Sequence, residues 1–409
     1  MSMNVPHRIL IAPSGFKESL DAETVARAIG AGVRRVLPGV HLDLVPIPDG
    51  GEGTAEILAR TTGGDLVAAR VTGPVGRPVE AHWARLGGSA RSTAVVEMAS
   101  AAGLRLVPRG DRDPGRTTTR GVGELILAAL DDGATTIIVG CGDSGTSDGG
   151  AGALSAMGAR LLDEDGAELP DGGQHLARLH ELDLSGLDPR LAATEVVLAC
   201  NIHNVLCGDR GVARVFGPQK GATPEQVERL SDALETWAAV LARDAPPVVG
   251  LDLRLGGGTG ASGGLGAGLA AGIGARLVSR FDALLGIGLG SVDLDGLIAR
   301  ADLVITAEGA IDYQTPRGKV PAEIASRAQR AGVPVLAIAG SIGEGAPSVH
   351  DIGIDAIASI MTIPMPLSDA VDQGERLLQD AAERTLRLVL LGASISARHE
   401  DLRRTPVRL

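Results

Sequence analysis

Short aliphatic runs that end in glycine-rich polar loops recur along this chain, and most of those loops lead into apolar residues at helical spacing. Residues 8–13 (RILIAP) precede Val25, Ile29, Val33 and Val36, which lie on one face of a helix. Residues 42–47 run into Pro48-Asp49-Gly50-Gly51-Glu52-Gly53-Thr54 and then into a second periodic helix. The same grammar returns at residues 135–139, 196–199, 303–306 and 335–339. Such alternation predicts an α/β fold with parallel strands, whose ligands gather at the carboxyl ends of the strands. No repeat of solenoid period is present.

A chain of 409 residues exceeds what one hydrophobic core usually organises, so two domains are expected. The transitions at residues 74–78 and 286–295, marked by proline or glycine, bracket an inserted domain. The expected division is therefore 1–72 with 290–395, an insert at 73–289, and a fraying tail at 396–409. With three Phe, two Trp and one Tyr, the cores must be built from Ala, Val, Leu and Ile. A formal charge of −12 and so few aromatics argue against nucleic acid as a partner and for small molecules. Residues 255–275 carry no charge, but ten of them are glycine, which suits a ligand loop feeding a buried helix better than a membrane span. Three cysteines without paired metal spacing and an N-terminus without a signal peptide point to the cytoplasm. Assembly as a homo-oligomer is left open.

Of the 38 basic residues only three are lysine, and Lys17, Lys220 and Lys319 all stand in glycine-containing turns. A compact ammonium beside closely approaching backbone is a common way to hold phosphate. Lys17 follows the first strand, although the turn matches neither the P-loop nor the dinucleotide fingerprint. Asp49 and Glu52 sit in glycine-rich backbone at a strand end, where they suit Mg²⁺, while Asp49 is equally placed to cap the next helix. In the loop 144–152, Ser144, Thr146, Gly149 and Gly150 suit a phosphate cradle, and Asp148 suits a general base or a metal ligand. Glu308 and Asp312 lie four residues apart before Lys319, which supplies acids for metal or proton transfer and a cation for phosphate. The eight histidines suggest no metal cluster.

Taken together these motifs resemble the bacterial glycerate kinase family, from about residue 8 to about residue 391. The matching stretches are IAPxxFKESL at 11–20, PxxDGGEGT at 46–54, RDPxxTTxxGxGELI at 112–126, SDGGAG at 147–152, FGPQKGA at 216–222, GGLGAGL at 263–269 and EGxIDxQT at 308–315. The resemblance implies two α/β domains, one Rossmann-like and assembled from both chain ends, with the active site in a cleft between them. It also implies transfer of the γ-phosphoryl of ATP, with Mg²⁺, to a hydroxyl of D-glycerate. On that footing Lys220, Gly263 and Gly264 join the nucleotide loop, and Asp148, Lys17, Lys319 and Asp312 are the expected catalytic residues. Metal falls to Asp49, Glu52 and Glu308. Departures from the family pattern gather at Asp143, Asn201, Asn204 and Ala310, the last standing where arginine is usual. They are the expected acceptor-contacting positions, and they suggest an acceptor other than glycerate, with ordinary D-glycerate kinase activity making 2-phosphoglycerate, or a catalytically weak relative, as the alternatives.

Overall fold

The computed structural model describes residues 5–16, 19–288 and 292–404. In chain order its strands are β1 (Arg8–Ile11), β2 (His41–Leu44), β3 (Asp65–Thr72), β4 (Pro78–Arg85), β5 (Thr93–Glu97), β6 (Thr136–Gly140), β7 (Arg160–Leu162), β8 (Glu181–Asp183), β9 (Glu195–Cys200), β10 (Arg276–Ser279), β11 (Leu303–Ile311), β12 (Val335–Ile342) and β13 (Ala356–Ser359). The principal helices are α1 (Ala22–Val36), α2 (Thr54–Thr62), α3 (Arg120–Asp131), α4 (Pro224–Asp244), α5 (Ala261–Ile273), α6 (Val320–Ala331) and α7 (Gly374–Arg404). They divide into two units, residues 1–47 with 292–409 and residues 48–291.

The first unit carries a five-stranded, wholly parallel sheet in the order β13-β12-β11-β1-β2. Its strands are short and aliphatic, and Ile9, Ile11, Ile305 and Ile338 are fully or almost fully buried beneath α1 and α7. The predicted helical face of Val25, Ile29 and Val33 is the buried face of α1, which begins where the Asp21 carboxylate accepts the Thr24 amide at 2.7 Å. At Gly32 α1 and α7 nearly touch. A Cβ there would lie 2.2 Å from the Gln379 carbonyl oxygen, so only glycine allows the crossing.

The second unit holds a six-stranded sheet in the order β10-β9-β6-β5-β4-β3, parallel from β10 to β5 and antiparallel at β4 and β3, with β7 and β8 as a separate hairpin. Its core is aliphatic apart from Trp83 and Trp237, both essentially inaccessible. The glycine-rich stretch becomes α5, whose residues from Gly263 to Gly272 are buried, and no described helix is long and apolar enough to cross a membrane.

Two expectations about organisation change. The first boundary falls at residues 47–48 and not at 72–73, because β3 pairs along its whole length with β4 and α2 packs on the same sheet, which carries residues 48–72 into the second unit. The stretch expected to fray from 396 is helix as far as Arg404, the end of α7.

Candidate active site

The carboxyl ends of β5, β6 and β9 in the second unit receive three loops. Residues 49–53 lie directly on this edge: Gly50, at φ +81°, would bring a Cβ within 3.1 Å of the Cys141 amide and 3.2 Å of the Ala199 carbonyl. The loop after β6 then turns through Asp143, which holds a left-handed conformation (φ 51°) rare for a side-chain-bearing residue.

Lys220 is the centre of the first cluster. Its side chain is buried, and Nζ donates to Ser144 Oγ at 2.9 Å and to the Thr146 carbonyl at 2.6 Å. Beside it, Thr146 Oγ1 and Ser147 Oγ are buried without a hydrogen-bond partner, an arrangement that burial makes costly unless a ligand supplies acceptors or donors. The wall of this pocket is the turn Ser262-Gly263-Gly264, with φ of 50°, 72° and 96° in succession. Gly149 N donates to the Gly263 carbonyl at 3.0 Å, and a Cβ at Gly263 would meet the Thr146 carbonyl at 2.0 Å. Gly264 lies against Gly149 in the same way, and Gly150 (φ +80°) lies against Leu265. Ser144, Thr146, Gly149, Gly150, Lys220, Gly263 and Gly264, scattered over more than a hundred residues of sequence, thus meet in one place.

Asp148, expected from its sequence context to be a general base or a metal ligand, is enclosed by its own chain. It is fully buried; Oδ2 accepts from Thr119 N (2.8 Å), Thr119 Oγ1 (2.8 Å) and Gly152 N (3.2 Å), and Oδ1 accepts from Gly150 N (3.2 Å). Burial raises its carboxyl above the usual range while these hydrogen bonds oppose the rise. It is the tie that fixes the turn before α3 to the loop 148–152.

Asp49 and Asp143 form a second cluster. Asp49 Oδ1 accepts the Gly51 amide at 2.9 Å, Asp143 Oδ2 accepts the Glu52 amide at 3.3 Å, and a Cβ on Gly51 would stand 2.4 Å from Asp143 Oδ2 and 3.1 Å from Asp49 Oδ1. Two carboxylates thus crowd the Gly51 backbone, where a side chain would not fit. Arg280 donates to the Asp49 carbonyl at 3.1 Å and faces its carboxylate at 3.7 Å. Glu52 instead pairs with Arg105 at 3.0 Å, and burial raises its carboxyl although Arg105 works the other way. Asp49 does not cap α2, whose N-cap is Gly53 with no side-chain bond. That service comes from Glu97 at the end of β5, whose Oε1 accepts the Ala55 amide at 2.5 Å.

Asn201 and Asn204 close the end of β9. Asn201 Oδ1 accepts the His203 amide at 3.0 Å, and the Asn204 carbonyl accepts from Gly258 and Gly260 at 2.9 and 3.2 Å.

In the first unit, Lys319 gathers the predicted partners. Its Nζ lies 3.2 Å from the Ala310 carbonyl, 3.3 Å from Asp312 Oδ1 and 3.4 Å from Glu308 Oε1. Asp312 is further held by the Gln314 amide at 2.8 Å, and the buried Ser14 donates to the Ala307 carbonyl at 3.1 Å where β1 ends beside β11. Lys17 lies outside the described residues. Among the described residues, Glu56, His82 and Glu97 form a grouping of three possible metal ligands.

Sequence reasoning missed Arg280 and this last trio. Only Glu97 left a legible mark, an acid at the end of the aliphatic run TAVVE.

These features define an α/β protein in which a buried lysine, hydroxyls and glycine turns meet beside strand carboxyl ends. The model of the glycerate kinase family matches residues 9–390. A Bacillus subtilis glycerate kinase is 44% identical over 92% of this chain and 96% of its own, and an Escherichia coli glycerate 2-kinase is 45% identical over 89% and 93%. A crystal structure assigned as a candidate glycerate kinase 2 of Salmonella typhimurium LT2 superposes with a TM-score of 0.71 at 42% identity, covering 96% of this chain and all of that one. The chain belongs to the glycerate kinase family and is an ATP-dependent kinase acting on a hydroxyl group.

Proposed function

We propose that this protein transfers the γ-phosphoryl group of ATP to the 2-hydroxyl of D-glycerate. The observation that carries the reading is the buried Lys220 beside the unpartnered hydroxyls of Thr146 and Ser147, a polar pocket that an anion's oxygens would satisfy. The names of relatives at 44% and 45% identity favour glycerate over an altered acceptor, and the E. coli relative's name favours the 2-position. The missing arginine at position 310 loses much of its force because Lys319 places a cation against the Ala310 carbonyl, in reach of a carboxylate.

In this reading Lys220, Ser144 and the amides around Gly149 and Gly150 hold phosphate, and Lys319 offsets charge on the substrates. Asp49 and Asp143 fit Mg²⁺: carboxylate oxygens of both approach the Gly51 backbone, and hard oxygen donors are what that ion takes. When bound, Mg²⁺ neutralises the phosphate oxygens. In a loose phosphoryl-transfer transition state positioning outweighs a strong base, so a buried Asp148 that fixes loops is compatible with activity.

The test is ADP release with Mg·ATP across D-glycerate, L-glycerate, other hydroxy acids, amino alcohols and polyols, with phosphorus NMR of the product. Turnover of D-glycerate alone with phosphorus coupled to the C2 proton is the expected result. Turnover of a different acceptor would restore the altered-substrate reading.

A further inference from the structure

Glu56, His82 and Glu97 lie on three elements distant in sequence, α2, β4 and the end of β5. One ligand atom from each falls within 4.8 Å of the other two. His82 Nε2 and Glu56 Oε1 lie 2.9 Å apart as an ion pair, and Glu56 Oε2 is buried without a hydrogen-bond partner, so one carboxylate oxygen beside the imidazole is left for a further ligand.

We propose that Glu56, His82 and Glu97 bind a Zn²⁺ ion that staples α2 to strands β4 and β5. One imidazole and two carboxylates, with no thiolate, form a mixed nitrogen and oxygen set that suits zinc, whereas Mg²⁺ and Ca²⁺ take oxygen throughout. The two carboxylates match the ion's charge. Glu97 is 1% exposed, so a charge on it would be buried at a cost that an ion would offset. The nearby cation, Arg105, is engaged by Glu52 at 3.0 Å.

Such a site has a structural consequence. Glu97 already holds the Ala55 amide, and α2 begins directly after the loop bearing Asp49 and Glu52. Fixing the first turn of α2 therefore fixes the loop that lies on the ends of β6 and β9.

The experiment is calorimetric titration of the full-length, chelator-treated protein with ZnCl₂ in the absence of nucleotide and glycerate, so its outcome is independent of the kinase reading. One equivalent per chain, with an X-ray absorption shell of nitrogen and oxygen at about 2.0–2.1 Å and no sulfur, is expected. Loss of one ligand in His82→Ala should weaken binding by about 100-fold. Glu97→Gln should do the same; should it fail to fold, His82→Ala decides alone, because His82 is 29% exposed at its side chain and contributes little to the core. Absence of stoichiometric binding, a sulfur shell, or unchanged affinity in His82→Ala would overturn the proposal.

Discussion

Lys220 reaches from its glycine turn to the carbonyl of Thr146 at 2.6 Å, so that an ammonium ion is buried against the loop that follows β6. It stays there because backbone and Ser144 oxygens solvate it. Replacing it with methionine keeps the volume and removes the charge. Steady-state assays of Lys220→Met should show kcat/KM for ATP reduced by about 100-fold or more, and Lys220→Arg should not restore it, since a planar guanidinium cannot occupy the same enclosed position.

Asp148→Asn separates a structural from a catalytic role. With its carbonyl oxygen kept toward the Thr119 and Gly152 donors, the amide would turn its hydrogens toward the Gly150 N–H, leaving buried donors unmatched at about 1–3 kcal/mol. Thermal melting should therefore fall by several degrees, at roughly 2–4 °C per kcal/mol for a unit of this size. The activity per folded molecule should fall far less than the thousand-fold that loss of a general base would bring.

The turn at Gly263 tolerates no side chain. Gly263→Ala would combine a left-handed φ of 72° with a contact of 2.0 Å to the Thr146 carbonyl, so the loop must move. Nucleotide binding measured by calorimetry should be lost, whereas Gly274→Ala, at φ 70° with open space around its Cβ, should cost only about 1 kcal/mol and preserve binding.

Asp143→Asn removes one of the two carboxylates at Gly51. The Mg²⁺ concentration giving half-maximal rate should rise several-fold, with KM for glycerate little changed. An equal rise in both would instead assign Asp143 to the acceptor.

Burial raises the thiols of Cys200 to about 11 and Cys207 to about 12, and lifts Cys141 as well. At pH 8 the thiolate fraction at Cys200 is then about one in a thousand, and iodoacetamide should label the native protein negligibly. The sign for stability follows. In the unfolded chain these thiols ionise near about 8.5, so the contribution of keeping them neutral is complete below that pH and is lost as pH rises toward about 11. Denaturant midpoints should begin to fall above about pH 9, and less so when all three cysteines are replaced by alanine.

The strand and loop alternation was enough to foresee the parallel sheets, because short buried strands advertise themselves as aliphatic runs closed by glycine. The residues of the lysine pocket were legible for a related reason. Backbone that must approach a ligand is written in glycine, and Lys220 was conspicuous among arginines. The role of Asp148 was not legible, since an acid between hydroxyls and glycines reads the same whether it faces a substrate or is sealed beneath Thr119. The trio of Glu56, His82 and Glu97 was hidden because tertiary packing alone unites a helix turn with two strand positions. The boundary at 47–48 was hidden by the antiparallel β3, whose pairing with β4 follows the proline and glycine turn that suggested a break.

Trp237 lies inaccessible in the core of the second unit and donates through Nε1 to the Gly149 carbonyl at 2.9 Å. Trp83 is buried in the same unit, and residues 1–47 and 292–409 contain no tryptophan at all. Emission excited at 295 nm therefore originates from one half of the molecule only. Its loss during denaturation can be set against far-ultraviolet circular dichroism, which sees both halves, and any lag between the two traces measures how independently the halves unfold. Because one of these indoles touches the glycine loop itself, the same signal is a label-free optical gauge of what occupies that loop.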